Sequence, residues 1–525
     1  MNNQVSSVKK QLPIIGSICA GILLFLSFPP FEISFCGWIA LIPLIIACAG
    51  TAPRRAVFLG WLAGTVFFLS SLYWLRHVTW LGTIGLAFYC ALYFIPFAVF
   101  VSLRRNAWRS TSGFKNIAWM LGAAAVWVTG EYLRANIITG FPWNLLGVSQ
   151  YKQLPCIQIA EWGGVYAISA LMVFVNAAFA VTILQYAAGL RRIGRMHLEM
   201  ICALLAVAIV WSLGIQKLLH KPAAGGTPVR VVLIQPNIPE VGNWDVADPE
   251  VVYARLEKLT AFAQCTPDLD LIIWPETALP DFVRYSERSA EMVKKLVTNG
   301  VPLLAGSMDM TWLANGRPEY YNASMLFNTR GELLGTYYKQ HLVLFGEYIP
   351  FEGKISLINA LTPIGSSFTP GRSATLFKRH GDNRGFSVLI CFEDSLPYLA
   401  RKAARAGATW LINQTNDSWF DPDCGSAQHL ANAVFRCIET RLPMLRCANT
   451  GMTCAIDPLG RIQQTLKPRT EGFQIVETIP ADPERTATVY VRFGDLFAQA
   501  CLAGSVALFI TLLIKRRKIP ACSKN

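Results

Sequence analysis

Charge is what this chain lacks. Asp, Glu, Lys and Arg make up only 15% of its 525 residues, against 53% apolar, and mean hydropathy is +0.37. An apolar excess of that size cannot be one soluble core. Also missing are a P-loop, a GxGxxG fingerprint, an HExxH pair and an internal repeat, so nucleotide and zinc-peptidase chemistry have no motif to rest on. Among 14 cysteines and six histidines there is no CxxC or Cys/His ligand spacing. No metal or cofactor is expected.

The apolar residues fall in eight stretches, at about 12–29, 34–51, 56–75, 80–103, 115–134, 165–187, 198–216 and 497–514. Each approaches the ~20 residues a helix needs to cross hydrocarbon. Basic clusters occupy alternate connections: Lys9 and Lys10; Arg54 and Arg55; Arg104, Arg105, Arg109 and Lys115; Arg191, Arg192 and Arg195; Lys515 to Lys518. All five land on one face, which is therefore cytoplasmic. The smaller group Lys217, His220 and Lys221 is outnumbered.

The expectation is a polytopic α-helical membrane protein of eight spans with an inserted α/β domain. Residues 1–221 carry seven helices, 222–490 the external domain, and 491–525 the last helix and a cytoplasmic tail. The first span has no convincing small-residue cleavage site and is read as an ordinary helix. The net charge of +14 sits in the flanks, so retention and anionic lipid explain it better than nucleic acid. Cys19, Cys36, Cys48, Cys90, Cys202 and Cys501 lie in spans and read as packing. Cys265, Cys424, Cys437, Cys447 and Cys454 are external, where disulfides could form.

In the external domain, strand signals recur at 229–235, 269–275, 302–305, 324–328, 333–338, 386–390, 409–413, 444–447, 453–456 and 473–476. Helical patterns cover 250–264, 286–299, 396–406 and 426–441. The alternation implies helices outside packed sheets. Residues 355–371 have no charge and read either as a buried loop or as a lid with an apolar face toward lipid.

Three strand-like runs end in reactive types: Leu271–Pro275 at Glu276, Leu334–Tyr338 at Lys339, and Phe386–Ile390 at Cys391. A lone cysteine is more often a small buried hydrophobe. With a carboxylate and a lysine presented the same way, the set suggests acyl transfer. Glu276 would accept the thiol proton and return it to the leaving group. Lys339 would lower the thiol pKa and hold the oxyanion, helped by the Phe392 N–H. A papain-type site needs a histidine base, and His341, His380 and His429 carry no such signature.

At these residues the chain resembles the nitrilase superfamily, and within it the membrane-embedded apolipoprotein N-acyltransferase branch. The motifs are Gln235-Pro236-Asn237-Ile238-Pro239 with Trp244, Trp274-Pro275-Glu276-Thr277, Tyr338-Lys339-Gln340-His341, Phe345-Gly346-Glu347-Tyr348, Ile390-Cys391-Phe392-Glu393, Asn416-Asp417-Ser418-Trp419-Phe420 and, in the membrane part, Gly140-Phe141-Pro142-Trp143. Two positions depart from the family pattern: Phe392 stands where Tyr is common, and Leu344 where Pro is usual.

The resemblance implies an αββα sandwich with a Glu276-Lys339-Cys391 triad. It implies transfer of an acyl chain from a phospholipid, through a Cys391 thioester, to the α-amino group of a diacylglyceryl-cysteine on an apolipoprotein. Glu347 would position Lys339 or the incoming amine, and Glu393 would support the same network. Glu393 and Asp394 read equally as caps of the following helix, and Arg441 and Arg446 as structural ion-pair partners. Trp143, Trp244 and Trp419 are candidates to line a lipid entrance, or are core. A monomer in the bacterial inner membrane, with its catalytic domain periplasmic, is expected. Two rivals remain at this point: a membrane-tethered amidase with water as acceptor, and a transporter with a ligand-binding external domain. Few ionisable residues interrupt the spans, which counts against the transporter.

Overall fold

The computed structural model describes residues 2–103, 109–110, 112–190, 197–220, 226–238, 248–349, 367–378, 384–420 and 424–517, with side chains between Gln11 and Ile514. The uncharged stretch lies outside them except for Ser367 to Gly371. Two compact units form: Met1–Leu219 with Phe493–Asn525, and His220–Arg492.

In the first unit, Trp80–Leu103, Val165–Ala187, Leu198–Leu219 and Leu496–Ile514 are long and apolar enough to cross a membrane. Gln11–Leu26 is a shorter apolar helix, and Pro53–Ser71 and Gly113–Asn136 are helices carrying basic or acidic residues. The stretch 34–51 is not the continuous helix expected of it. It is a 3-10 turn, Ser34–Trp38, followed by a short helix, Ile42–Ala49. Asn176 explains the break. Its Oδ1 accepts the Leu41 N–H at 2.9 Å and its Nδ2 donates to the Gly37 carbonyl at 3.1 Å, which satisfies the backbone where the helix stops. Pro43 then starts the next helix, at a position that needs no N–H.

Among its described residues the second unit contains eleven strands: β1 (Val229–Gln235), β2 (Leu271–Ile273), β3 (Leu303–Trp312), β4 (Pro318–Phe327), β5 (Leu333–Tyr338), β6 (Gly385–Ile390), β7 (Ala408–Thr415), β8 (Met444–Ala448), β9 (Thr453–Ile456), β10 (Ile462–Leu466) and β11 (Gly472–Thr478). They form one sheet in the order β11-β1-β2-β3-β4-β5 and another in the order β10-β9-β8-β7-β6. The period-two alternation of β1 divides its residues between two cores. Val231 and Leu233 join Ile273, Leu304, Val388, Ile412 and Leu445 between the sheets. Val232 and Ile234 pack with Leu256, Met292 and Leu296 of the helices Pro249–Ala263 and Glu287–Val297. Helix Pro397–Arg405 packs on β6 and β7 and on helix Gly425–Thr440. The result is an αββα sandwich.

Local chemistry sets the helix ends. Ser286 caps Glu287–Val297 by accepting the Ser289 N–H, and Lys294 and Lys295 sit in its last turn, where cations suit the dipole. Gly425–Thr440 ends at Arg441 in a left-handed conformation, φ +54°. β10 escaped the sequence reading because its pattern is Ile-Gln-Gln-Thr-Leu, polar and exposed at a sheet edge. None of the described cysteines forms a disulfide.

Gly306 on β3 has no room for a side chain: a Cβ there would lie 2.0 Å from the Pro275 carbonyl oxygen and 2.8 Å from the Glu276 Cα. Gly306→Ala is therefore expected to destabilise the protein by ~1–3 kcal/mol through overpacking. Gly50→Ala, where nothing lies within 4 Å, should leave the unfolding midpoint unchanged. A Gly306→Ala midpoint equal to the parent's would contradict this packing.

Candidate active site

Glu276, Lys339 and Cys391 each follow the last residues of a strand: β2, β5 and β6. A strand end releases a side chain from the sheet while the core holds its backbone. Lys339 is 1% exposed, and Glu276 and Glu347 are each 7% exposed. The Lys339 Nζ lies 3.2 Å from Glu276 Oε1 and 2.7 Å from Glu347 Oε1. Asn322 on β4 donates through Nδ2 to both carboxylates, at 2.8 and 3.1 Å. Glu276 Oε2 accepts the Asn416 N–H at 2.8 Å, and Glu347 Oε2 accepts the Val343 N–H at 2.9 Å. Three buried charges thus share one set of polar partners. Asn322 was missed in the sequence, because an Asn inside a strand carries no motif.

The sheets are tied together at this point. Gln414 on β7 donates to the Trp274 carbonyl at 2.6 Å, and the Asn416–Glu276 bond likewise joins the loop after β7 to the end of β2. These links set Glu276, from one sheet, against Cys391, from the other. Cys391 has φ +51° and Thr277 φ +42°, so two of the strand exits turn through the left-handed region, which non-glycine residues rarely adopt.

Lys339 does lower the Cys391 pKa, as expected of it, but it does not decide the state of the thiol. Burial pushes the Cys391 thiol well above its usual range and the Glu276 carboxylate adds to this; Lys339 and a hydrogen bond with Thr415 work the other way and are outweighed. The resting group is a thiol, not a preformed thiolate. For Lys339 itself, burial opposes the ammonium, but the Glu276 and Glu347 carboxylates hold it well above the ordinary lysine range. Burial and Lys339 lower His341 to about 4, so its imidazole is neutral and a weak base.

Glu393 is fully buried and has four donors. Its Oε1 accepts the N–H groups of Gln340 at 2.6 Å and His341 at 3.0 Å. Its Oε2 accepts the Ile390 N–H and the Tyr337 hydroxyl, each at 2.8 Å. It therefore caps the turn at Cys391 and ties that turn to the segment following Lys339. Phe392 is partly exposed, with its ring 5.9 Å from His341.

Trp419 is partly exposed on the short turn Asp417–Trp419. Trp143 belongs to the first unit, where it is buried against Trp74 and Phe141. Its carbonyl and that of Phe141 accept from Arg134 at 2.7 and 2.8 Å, which pins the Gly140–Trp143 loop. Trp244 lies outside the described residues. Arg446 is a buried ion-pair partner of Asp394 and Asp417, as expected of it, and Arg441 donates to the Pro458 carbonyl at 3.0 Å.

A model of the apolipoprotein N-acyltransferase N-terminal domain matches residues 20–178, and a carbon-nitrogen hydrolase model matches residues 230–487. An apolipoprotein N-acyltransferase of Geobacter metallireducens is 36% identical, over 96% of this chain and 95% of its own. This chain belongs to the apolipoprotein N-acyltransferase family. Relatives of the same description in Brucella melitensis and Chlorobaculum tepidum are 32% and 29% identical. They cover 86% and 96% of this chain, and 87% and 97% of their own.

Within that family frame, Glu393 gives a pH signature. Its folded pKa is pushed up to about 7 by burial, against the opposing pull of the Ile390 and His341 N–H groups, Lys339 and Tyr337. The folded state binds this proton more tightly than the unfolded chain, whose carboxyl titrates near ~4.3. Its contribution is therefore fully present below the unfolded value and is lost as pH rises through about 7. In Glu393→Gln that fall is expected to disappear from a plot of unfolding midpoint against pH. Parallel plots for variant and parent would contradict it.

Proposed function

We propose that this chain transfers an acyl group from a membrane phospholipid to the α-amino group of a diacylglyceryl-cysteine at an apolipoprotein N-terminus, through a thioester on Cys391. One observation carries the reading: a buried Glu276–Lys339–Glu347 cluster beside Cys391, in a chain that matches N-acyltransferases almost end to end.

In the first half-reaction Glu276 takes the Cys391 proton. The sulfur attacks the ester carbonyl, and the oxyanion is met by Lys339 and the Phe392 N–H. The carbon–oxygen bond then breaks, and Glu276 returns the proton to the departing lysophospholipid oxygen. In the second half the neutral amine attacks the thioester and gives up a proton to Glu276. The amide forms, the carbon–sulfur bond breaks, and Glu276 passes its proton to the leaving sulfur, which restores both thiol and carboxylate. Glu347 fixes the Lys339 ammonium throughout, and Glu393 holds the two loops in register. Trp419, which is partly exposed, is proposed to line the lipid path, whereas Trp143, buried in the first unit, fits the core alternative. Water in place of the amine would make the protein an amidase-like hydrolase; the N-terminal domain match over 20–178 favours the lipoprotein acceptor.

The same proposal includes eight spans, both termini cytoplasmic, a periplasmic domain over 222–490 and a monomer in the bacterial inner membrane. The Lys/Arg asymmetry supports this orientation. Reporter fusions at Gly225 and Asn525 should report opposite sides; the same side for both would overturn the topology.

Incubation with phospholipid and a diacylated lipopeptide should give the N-acylated lipopeptide by mass spectrometry, whereas free fatty acid alone would indicate the hydrolase. Glu276→Gln should slow acylation by ~10²-fold or more. It should also shift Cys391 alkylation to lower pH, because a carboxylate that raises the thiol pKa has gone. Lys339→Ala should shift alkylation to higher pH and cost ~10²–10³-fold in acylation. Parent-like rates in both variants would dissolve the triad.

A further inference from the structure

Cys391 rests on a buried charge network that the mechanism above does not use. Its carbonyl oxygen accepts from Asn413 Nδ2 at 3.1 Å and from His429 Nε2 at 3.2 Å. A carbonyl only accepts, so His429 Nε2 carries a proton. Asp394 Oδ1 lies 2.8 Å from that nitrogen, and Asp417 Oδ1 lies 3.0 Å from Nδ1. Arg446 reaches Asp394 Oδ2 at 2.6 Å, Asp417 Oδ2 at 2.9 Å and Asn413 Oδ1 at 2.7 Å. That last bond orients the Asn413 amide with its nitrogen toward Cys391. The side chains of Asp394, Asp417, His429 and Arg446 are all 0% exposed.

Four buried ionisable groups need a balance of charge. Two carboxylates against one guanidinium leave one negative charge, which an imidazolium at His429 cancels. Arg446 Nη2 is also 2.9 Å from Nδ1 and opposes that proton. Burial opposes it too, yet Asp394 and Asp417 prevail and His429 is held above its usual range.

We propose that His429, with Asn413, is a positioning residue that sets the Cys391–Phe392 peptide plane and makes the Phe392 N–H an effective oxyanion donor. This rests on reading Cys391 as the acyl-accepting nucleophile. The peptide is planar and trans, so a carbonyl turned into the His429–Asn413 pair points the Phe392 N–H the opposite way, out of the network. The same two bonds hold Cys391 at φ +51°, a conformation it would otherwise avoid. A charged donor on the carbonyl also polarises the amide and strengthens its N–H as a donor.

The test compares two reactions of the full chain in detergent micelles. Iodoacetamide alkylation of Cys391 needs the thiolate but develops no oxyanion; thioester formation with phospholipid needs both. His429→Leu should slow thioester formation by at least ~10-fold, within the ~10²–10³ range of a lost oxyanion donor. The limiting alkylation rate of the thiolate, read from the alkylation–pH profile, should stay near the parent's, with the phospholipid KM unchanged. His429→Gln, whose amide can donate to the same carbonyl, should recover most of the loss. Asn413→Ala, which removes the other donor and no charge, should show the same split. A parallel fall in both reactions, parent-like acylation by His429→Leu, or no rescue by Gln would overturn the proposal. Thioester formation by Cys391→Ala would instead overturn the reading of Cys391 itself.

Discussion

A lysine ammonium at 1% exposure is the constraint on which the site depends. Burying it alone would be prohibitive, so the fold must bring anions to it. Glu276 arrives from the end of β2 and Glu347 from the turn beyond Lys339, and Asn322 bridges them. The cluster with Cys391 as thiol then carries one net negative charge. Moving the thiol proton to Glu276 leaves that total unchanged. In the proposed mechanism, activation is therefore a proton shift inside a fixed charge balance.

The same demand repeats one layer deeper. Asp394, Asp417, Arg446 and His429 balance one another under the turn at Cys391, and Glu393 joins that turn to the segment after Lys339. The sheets contribute rigidity, through the Gln414–Trp274 and Asn416–Glu276 bonds. Two sheets placed back to back thus deliver acid, cation and thiol to one place without any of them being sequence neighbours.

Much of this was legible in the residues. Strand ends followed by Glu276, Lys339 and Cys391 announced themselves because a buried strand is a recognisable apolar run, and β1, β5 and β9 have the bounds the sequence suggested. β3 and β4 run longer than expected, since their outer halves are polar and pair only as a hairpin. The break at Ile39–Leu41 was hidden because its cause, Asn176, is over a hundred residues away. Asn322 and His429 were hidden for the same reason: each acts through distant partners, and neither has a local motif. The lowering of the Cys391 pKa by Lys339 followed from residue types, whereas the larger effect of burial depends on packing that residue types do not carry.

The central claim is a covalent acyl group on one sulfur. It is tested most directly by incubating the full chain with phospholipid and no acceptor, then locating the added acyl mass by peptide mass spectrometry. The account predicts the acyl group on the peptide containing Cys391, its release by neutral hydroxylamine as expected of a thioester, and its absence from Cys391→Ala. An acyl group on another residue, or one that persists in Cys391→Ala, would contradict it.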